Sequence, residues 1–274
     1  MPELPEVETI VRHLRPKIRN KRILKMWSNT PRLFRGGVFS KIKKEILGAR
    51  VQEISRIGKN IIFHLSNGRD LWLHLMMTGK VLFFPQVPKE KHVHFWIKFG
   101  PENFLALHDI RKFGWIRLIR RSPTSSWKSD FPRLNIGPDA LSLSFEKFRE
   151  MIKKRRGAIK PLFLNQSIIS GIGNIYSDEI LWHARIHPRR EANSLTDSDV
   201  SKLYSSVRKV LKLAIKKEGT SSRDYRKPDG SRGGYYEIRR AYQRTGEKCS
   251  RDGAIIKRIK VGQRSAHFCP KHQK

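Results

Sequence analysis

The sequence is poor in cysteine and in acidic residues, and it contains no long apolar run. Cys249 and Cys269 are the only two cysteines among 274 residues, too few for a disulfide framework, so a reducing compartment is expected. No stretch approaches the roughly 20 apolar residues that a transmembrane helix needs. Residues 1–15 lack the apolar core of a secretory signal and carry three glutamates. We therefore predict a cytoplasmic protein with no membrane partner.

The shortage of acid leaves a large positive charge. Lysine and arginine number 58 against 24 aspartates and glutamates, which gives a formal net charge of +34. A polyanion is the simplest partner for such a charge, because neutralising phosphates releases condensed counterions. The basic residues lie in segments of globular composition rather than in a tail. The composition therefore favours a nucleic-acid-binding protein over one that is merely basic and soluble.

The first half of the chain combines one helical pattern with many short strand patterns. Val7, Ile10, Val11 and Leu14 follow the spacing of one helix face, which predicts a short amphipathic helix over residues 2–15, with Pro16 marking its end. Between residues 22 and 120 the period becomes that of strands. We predict strands at the following ranges: 61–65, 71–75, 93–99, 104–108 and 115–119. Many short strands with few helices are typical of a β-sandwich or a barrel.

The second half is helical and ends in a hairpin pattern. Periodic apolar residues predict helices over 145–154, 174–184 and 197–217, the last with Gly219 just past its end. A polar, glycine- and arginine-rich loop follows. We therefore predict an α+β fold with these parts: a β-sandwich domain at 1–131, a linker at 132–142 in a Ser-, Pro- and Asp-rich stretch, a helical domain at 143–240, and a finger-like β-hairpin at 241–274.

The N-terminus carries groups suited to covalent catalysis. Removal of Met1 would leave Pro2 with a free secondary amine, and an α-amino group has a pKa of about 7.7–8.0, so part of it is unprotonated near neutrality. Amines attack carbonyl-like carbons and form Schiff bases. A proline at the second position most often has no catalytic function and simply precedes the first helix. Glu3 and Glu6 favour the catalytic interpretation, because one carboxyl beside the amine can act as a general acid.

Four sequence strings occur in a characteristic order. They are MPELPEVETI at 1–10, HLMMTG at 74–79, DIRKFG at 109–114 and IKPLFLNQSIISGIGNIYSDEILWHARIHP at 159–188. Each is weak alone, but together they resemble the formamidopyrimidine-DNA glycosylase family, within the wider Fpg/Nei group, and the likeness runs essentially end to end. The resemblance implies a monomeric base-excision repair enzyme that acts on damaged double-stranded DNA without a soluble cofactor.

The resemblance also implies catalytic functions for four residues. Pro2 is the expected nucleophile, Glu3 the acid that helps to open the sugar, and Glu6 a supporting carboxylate. Lys59 is expected near the phosphate of the damaged nucleotide. From its own surroundings alone, Lys59 would instead be interpreted as a solvated lysine at a turn.

DNA contacts are implied for eight further residues. They are His74, Met77, Arg111, Lys112, Phe113, Lys160, Asn174 and Arg264. An enzyme that flips a base out of the duplex must fill the gap, and methionine, arginine and phenylalanine suit that purpose. Composition alone would place Met77 and Phe113 in the core. The sequence departs from the family pattern where Ile110 replaces a proline and Lys112 an arginine, which keeps charge but loses bidentate geometry.

The C-terminal hairpin departs from the four-cysteine zinc finger that the resemblance implies. Its two pairs are Cys249 with Asp252 and Cys269 with His272, so the spacing survives while two ligands change. Aspartate and histidine are both acceptable zinc ligands, and we predict one structural zinc ion. The alternative is a hairpin that folds without metal.

The resemblance gives two cues to the damaged base. Residues 219–240 match the loop that covers a flipped 8-oxoguanine, and Leu4 fits the purine-preferring branch. We therefore expect removal of oxidised purines, namely 8-oxoguanine and formamidopyrimidines. The alternatives are an Nei-type glycosylase for oxidised pyrimidines and a non-catalytic DNA-binding protein on the same scaffold. The second would not need to retain Pro2 and Glu3.

Overall fold

The computed structural model describes residues 1–121 and 135–274, which form two compact units. Of these residues, 1–121 belong with Lys217–Tyr236 to the first unit, and 135–216 belong with Glu237–Lys274 to the second. The two units do not coincide with the predicted domains, whose limits remain a prediction. The main difference is that the segment Lys217–Tyr236, predicted as part of the helical domain, belongs to the first unit. The start of the predicted linker, residues 132–134, lies outside the described residues.

The first unit begins with helix α1 (Leu4–Ile18). Its predicted apolar stripe is fully buried, from Val7 to Leu14. The predicted end at Pro16 is wrong, because the helix continues to Ile18 and the Arg19 amide donates to the Arg15 carbonyl at 3.1 Å. Proline removes only its own amide donor, and Pro16 lies on the exposed side of the helix, where water can satisfy the carbonyl left unpaired.

Two four-stranded antiparallel sheets form the body of this unit. Their strand orders are β1-β6-β7-β5 and β2-β3-β4-β8. The strands are β1 (Lys25–Ser28), β2 (Val51–Ile57), β3 (Asn60–Leu65), β4 (Arg69–His74), β5 (Lys80–Phe84), β6 (Val93–Gly100), β7 (Asn103–His108) and β8 (Trp115–Arg120), with helix α2 (Phe39–Ile46) before β2. The predicted strands are confirmed as β3, β4, β6, β7 and β8. Sequence patterns missed β1, β2, β5 and α2.

The core of the first unit lies between the sheets and α1. Alternate residues of β3 and β4, such as Ile61, Phe63 and Leu73, point inward and join Val7 and Ile10 of α1 in one apolar cluster. Helix α1 packs on β2 and β3. This packing fixes the helix, and with it the position of the N-terminal residues.

The second unit is helical and ends in a hairpin. Its helices are α3 (Phe145–Lys153), α4 (Ile159–Leu164), α5 (Asn174–Ala184) and α6 (Asp197–Lys216), followed by the short α7 (Tyr235–Ile238) that begins in the first unit, and by strands β9 (Lys257–Val261) and β10 (Arg264–Phe268). The predicted helices are confirmed as α3, α5 and α6. Helix α5 packs against α4, α6 and β10. No helix in the described ranges is long and apolar enough to cross a membrane.

Candidate functional site

The start of α1 brings the predicted catalytic carboxylates next to Pro2. Pro2 is buried, Glu3 is 2% exposed and Glu6 is 1% exposed. The Glu3 amide donates to Glu6 Oε2 at 2.8 Å, one half of a capping box. Met1 precedes them and is 49% exposed. Loss of Met1 would therefore leave a proline amine beside two buried carboxyl groups.

Glu6 also connects α1 to the segment Lys217–Tyr236. Its Oε1 atom accepts from the Thr220 amide at 2.7 Å, and the Tyr225 hydroxyl donates to the Glu6 carbonyl at 3.5 Å. Gly219 has a φ of +84°, and a Cβ there would come within 2.9 Å of Glu6 Cγ. The segment can approach Glu6 this closely only because residue 219 is glycine.

Lys59 lies in the turn before β3, and His74 lies at the end of the neighbouring strand β4. Lys59 is 5% exposed and follows Gly58, whose φ of +54° makes the turn into β3. His74 ends β4, where it is paired in register with Asn60, the residue after Lys59. The structure therefore places Lys59 in the interior of this region, and it is not the solvated lysine that local sequence alone would suggest.

His74 is an uncharged imidazole in this environment. Burial lowers its pKa to about 3, and the positive charges of Lys59 and Arg35 act in the same direction. Its Nδ1 atom accepts from the Met76 amide at 2.9 Å, so the ring proton is on Nε2. The ring also stacks on Trp115, with 5.4 Å between centroids. His74 can thus donate one hydrogen bond from Nε2 without carrying charge.

A buried aspartate joins the loops 74–79 and 109–114. Asp109 is fully buried, and its Oδ1 accepts from the Thr78 hydroxyl at 2.5 Å and from the Arg111 amide at 3.2 Å. Its Oδ2 accepts from the Gly114 amide at 2.8 Å. One carboxylate therefore sets the shape of the second loop and ties it to the first.

The three predicted gap-filling residues lie together on these loops. The guanidinium of Arg111 lies 4.6 Å from the centre of the Phe113 ring, and its Nη1 is 3.2 Å from Met77 Sδ. Met77 is 41% exposed and Phe113 is 44% exposed, so neither is a core residue. Lys112 between them has a φ of +54°, an uncommon conformation for lysine. The cluster therefore exposes two apolar side chains, Met77 and Phe113, on either side of the Arg111 guanidinium.

The N-terminus of α5 holds another predicted DNA contact. Gly173 caps the helix and Asn174 is its first residue. The amide oxygen of Asn174 is buried and has no hydrogen-bond partner in the part of the chain that the structure describes. Helix N-termini present amide donors and the positive end of the helix dipole, which is favourable for a phosphate.

Lys160 is placed beneath the hairpin rather than at the surface. It is fully buried, and its ammonium donates to the Asp178 carboxylate and, at 2.8 Å, to the Ser265 carbonyl. The second oxygen of Asp178 accepts from the amide of His267 at 3.0 Å and from its ring at 2.8 Å. This group of residues holds β10 on α5, with the exposed Arg264 at the start of that strand.

Glu179, the next residue on α5, fixes the chain that leads into the hairpin. Its carboxylate accepts three backbone N–H groups, from Arg240 at 2.8 Å, Ala241 at 2.8 Å and Tyr242 at 2.9 Å. Complete burial raises the pKa of Glu179, and these three donors oppose that effect. Two adjacent acids in a helix that is otherwise mostly apolar were a sequence signal for such a function, and our sequence analysis missed it.

The four predicted metal ligands converge. The ligand atoms of Cys249, Asp252, Cys269 and His272 all lie within 4.8 Å of one another. Asp252 Oδ2 is 2.6 Å from His272 Nδ1, and Cys269 Sγ is 3.3 Å from Asp252 Oδ1. Ligands around tetrahedral zinc lie about 3.3–3.8 Å apart, given bonds of about 2.0–2.3 Å. Trp182 packs on this cluster, with its ring centre 5.3 Å from that of His272. The Cys269–Asp252 and Cys249–His272 distances, 3.3 and 3.8 Å, match the spacing of zinc ligands, whereas Asp252 and His272 are at hydrogen-bond distance. The donor set and its convergence fit a zinc ion.

Comparison with known proteins accounts for nearly the whole chain. Three family models match: the formamidopyrimidine-DNA glycosylase N-terminal domain over residues 1–116, the H2TH domain of the same enzyme over 136–226, and the zinc finger found in FPG and IleRS over 246–271. The formamidopyrimidine-DNA glycosylase of Lactococcus lactis subsp. lactis is 42% identical over 273 residues, which cover 98% of each chain. That of Streptococcus mutans is 36% identical over 277 residues and covers 100% of each. The chain belongs to the formamidopyrimidine-DNA glycosylase family.

Solved structures of the family agree with this assignment. A point mutant of the Lactococcus lactis FPG in complex with a Fapy-dG-containing DNA has a TM-score of 0.92 at 40% identity and covers 100% of both chains. A complex of the Lactococcus lactis Fpg with an abasic-site-containing DNA has a TM-score of 0.91 at 40% identity, with 99% of each chain covered. The α+β fold predicted from the sequence is therefore confirmed.

Membership in the family also identifies the metal centre. The zinc-finger model covers Cys249, Asp252 and Cys269, and His272 is the next residue after its end. Together with the convergence of the four ligands, this makes the hairpin a zinc finger with a structural zinc site. The side chains of the site belong to two cysteines, one aspartate and one histidine.

The predicted site residues fall into two groups, one in each unit. The first unit contains Pro2, Glu3, Glu6, Lys59, His74, Met77, Arg111, Lys112 and Phe113, and the second contains Lys160, Asn174, Arg264 and the zinc ligands. Their functions in catalysis and DNA contact remain predictions. The sequence analysis missed the residues that position them: Asp109 and Thr78 in the first unit, Asp178 and Glu179 in the second, and Thr220 beside Glu6.

Proposed function

We propose that the protein is a bifunctional DNA glycosylase and AP lyase that removes oxidised purines from duplex DNA during base-excision repair. The observation that carries this proposal is the buried position of Pro2 beside Glu3 and Glu6 at the start of α1, in a chain of the formamidopyrimidine-DNA glycosylase family. A purely DNA-binding protein would have no use for two buried carboxylates beside an N-terminal amine.

The reaction follows from the chemistry of a secondary amine. The Pro2 nitrogen attacks C1′ of the damaged nucleotide, the base leaves, and the sugar opens to an iminium. Glu3 donates the proton that the ring oxygen of the sugar needs as it opens. The iminium acidifies the C2′ proton, so β-elimination and then δ-elimination release the sugar and leave a one-nucleotide gap with phosphates at both ends. Glu6 keeps the Glu3 backbone in place through the bond at 2.8 Å.

The duplex is held by cationic and neutral donors. Lys59 and the uncharged His74 bind phosphate near the damaged nucleotide, and Asn174 and Arg264 bind phosphate from the second unit. The cluster of Met77, Arg111 and Phe113 fills the gap that the flipped base leaves, and Lys112 binds phosphate beside it. Apolar wedges and an arginine suit a space between stacked base pairs. Lys160, being fully buried, contributes by holding β10.

Oxidised purines are the substrates that the relatives support. The Lactococcus lactis protein has been seen with DNA containing Fapy-dG and N7-benzyl-Fapy-dG. In this chain, residues 219–240 would cover the flipped base, and part of that stretch is fixed to α1 through Glu6. Leu4 agrees with the purine-preferring branch.

Borohydride trapping tests the proposal directly. Wild-type protein and Pro2→Gly are each incubated with a duplex that carries 8-oxoguanine opposite cytosine. We expect a covalent protein–DNA adduct with wild type and far less with Pro2→Gly. Binding without adduct or nicking would support a non-catalytic DNA-binding protein instead. An adduct only with thymine glycol would keep the chemistry and move the substrate to oxidised pyrimidines.

The charge suggests where the enzyme works. With a net charge of +34, we infer that the protein stays bound to chromosomal DNA in the cytoplasm. The family resemblance supports a monomer that needs no soluble cofactor.

A further inference from the structure

The segment Lys217–Tyr236 has a second side-chain connection to α1, two turns along the helix from Glu6. His13 Nε2 lies 2.9 Å from Glu218 Oε1, and Lys227 Nζ donates to Glu218 Oε2 at 2.6 Å. The Lys227 side chain is 12% exposed and that of His13 is 27% exposed. Glu218, at the start of the segment, therefore contacts both α1, through His13, and the middle of the segment, through Lys227.

The backbone conformation of Glu218 is one that glutamate rarely adopts, so the presence of a glutamate at this position points to its side chain. Its φ is +56°, a left-handed conformation that favours glycine or asparagine over glutamate. The next residue, Gly219, is left-handed as well. Glutamate at this position gains nothing from the backbone, whereas its carboxylate has two side-chain partners, Lys227 and His13. Hydrogen bonds from Lys227 and then His13 lower the pKa of Glu218, so it is ionised at neutral pH.

The remainder of the segment is closed and docked. The Gly234 amide donates to the Lys217 carbonyl at 2.7 Å, and the Tyr235 amide donates to the Gly219 carbonyl at 3.0 Å, which closes the base of the loop. Farther out, the Phe83 amide of β5 donates to the Pro228 carbonyl at 2.9 Å. The loop is thus held along its length on the unit that carries Pro2.

We propose that His13, Glu218 and Lys227, here termed the ionic latch, are specificity-determining residues that hold this segment in place over a flipped base. The inference rests on the proposed function. Excision of a base requires a cover that keeps the base in position, whereas an abasic sugar has no base to cover. The same Pro2 chemistry acts on both substrates. The ionic latch therefore promotes base excision and is dispensable for cleavage at an abasic site.

The test compares two substrates across three variants. Glu218→Asn suits the left-handed backbone but loses the carboxylate, and Lys227→Met removes its main partner. Lys44→Met is a control that removes one exposed charge from helix α2, outside the segment. Single-turnover excision of 8-oxoguanine and nicking of an abasic duplex are measured for each. We expect the first two variants to lose about fivefold in excision, or about 1 kcal/mol at 1.36 kcal/mol per tenfold, and to keep nicking within about twofold. Lys44→Met should leave the ratio of the two activities unchanged.

Two results would overturn the ionic latch. A parallel loss on both substrates would indicate general damage to the fold, and unchanged excision in Glu218→Asn and Lys227→Met would show that the ion pairs have no function. A wild-type protein inactive on both substrates would refute the proposed function, and with it the latch as a determinant of excision. In that case hydrogen exchange over residues 219–232 of the free protein still decides whether the ion pairs hold the segment, because Glu218→Asn should exchange faster than wild type.

Discussion

His74 should make the free protein sensitive to mild acid in a way that one substitution removes. Its folded-state pKa of about 3 lies well below the ordinary value of 6.5. Between these two values the unfolded chain binds a proton that the folded chain does not, so stability falls as the pH falls through 6.5. His74→Asn keeps an acceptor for the Met76 amide but cannot titrate.

The size of the effect follows from proton linkage. The pKa of His74 is about 3 in the folded state and about 6.5 in the unfolded state. Protonation of the unfolded histidine therefore lowers the free energy of unfolding by about 0.4 kcal/mol at pH 6.5 and by about 2 kcal/mol at pH 5. Wild type should therefore lose about 1.6 kcal/mol more than His74→Asn over this interval. The difference barely changes for any folded pKa below about 4, because the folded histidine is then unprotonated throughout.

Urea unfolding at pH 8, 6.5 and 5 measures this difference. The loss of ring stacking on Trp115 should shift the His74→Asn free energy of unfolding by a constant amount at every pH. Only the pH-dependent part reports on the imidazole. If the two proteins lost the same stability between pH 6.5 and 5, or if the His74 ring titrated above pH 5 by NMR, the assignment of a neutral Nε2–H donor would be wrong.

Three further predictions concern the loops, the metal and the charge. Asp109→Asn should destabilise the protein by about 1–3 kcal/mol, because an amide cannot accept from the Thr78 hydroxyl and both loop amides as a carboxylate does; a melting temperature equal to that of wild type would contradict this. Protein purified without chelator should hold close to one zinc per chain, and Asp252→Ala should hold clearly less when both are dialysed against the same weak chelator; equal zinc in the two proteins would show that Asp252 is not a ligand. Affinity for undamaged duplex should fall at least about a thousandfold between 50 and 200 mM salt, and a change below about tenfold would mean that few phosphates are neutralised.

Local patterns in the sequence predicted much of the fold. Apolar runs at Ile61 to Leu65 and Leu71 to Leu75, on either side of the turn signal at 66–68, predicted β3 and β4, whose residues are mostly buried on both faces. Helices α5 and α6 were predicted to within a residue by apolar spacing and by Gly219. These features depend on neighbours in the chain, so a single sequence contains the signal.

The residues that position the site depend on distant partners. Glu6 and Thr220 are 214 positions apart, and Asp178 and His267 are 89 apart. No periodicity connects such pairs, so the sequence showed which side chains carry chemistry but not what holds them. Lys160 illustrates the gap, because the resemblance implied a DNA contact, which stays a prediction, but no local pattern showed that its buried ammonium would pair with Asp178.

The buried carboxylates limit how far the composition can drift. Among the described residues, six acidic side chains are buried against two basic ones: Glu3, Glu6, Asp70, Asp109, Asp178 and Glu179, against Lys59 and Lys160. An exposed aspartate or glutamate can be exchanged for lysine at little cost, since surface pairs contribute little. A buried carboxylate that accepts hydrogen bonds cannot, because its loss leaves those donors unpaired. Asp70 accepts from His64 and Arg121, and the other five accept backbone amides. In a lineage whose proteins become steadily more basic, these six positions would be the last acids to disappear, and they set a lower bound on the acidic content of the fold.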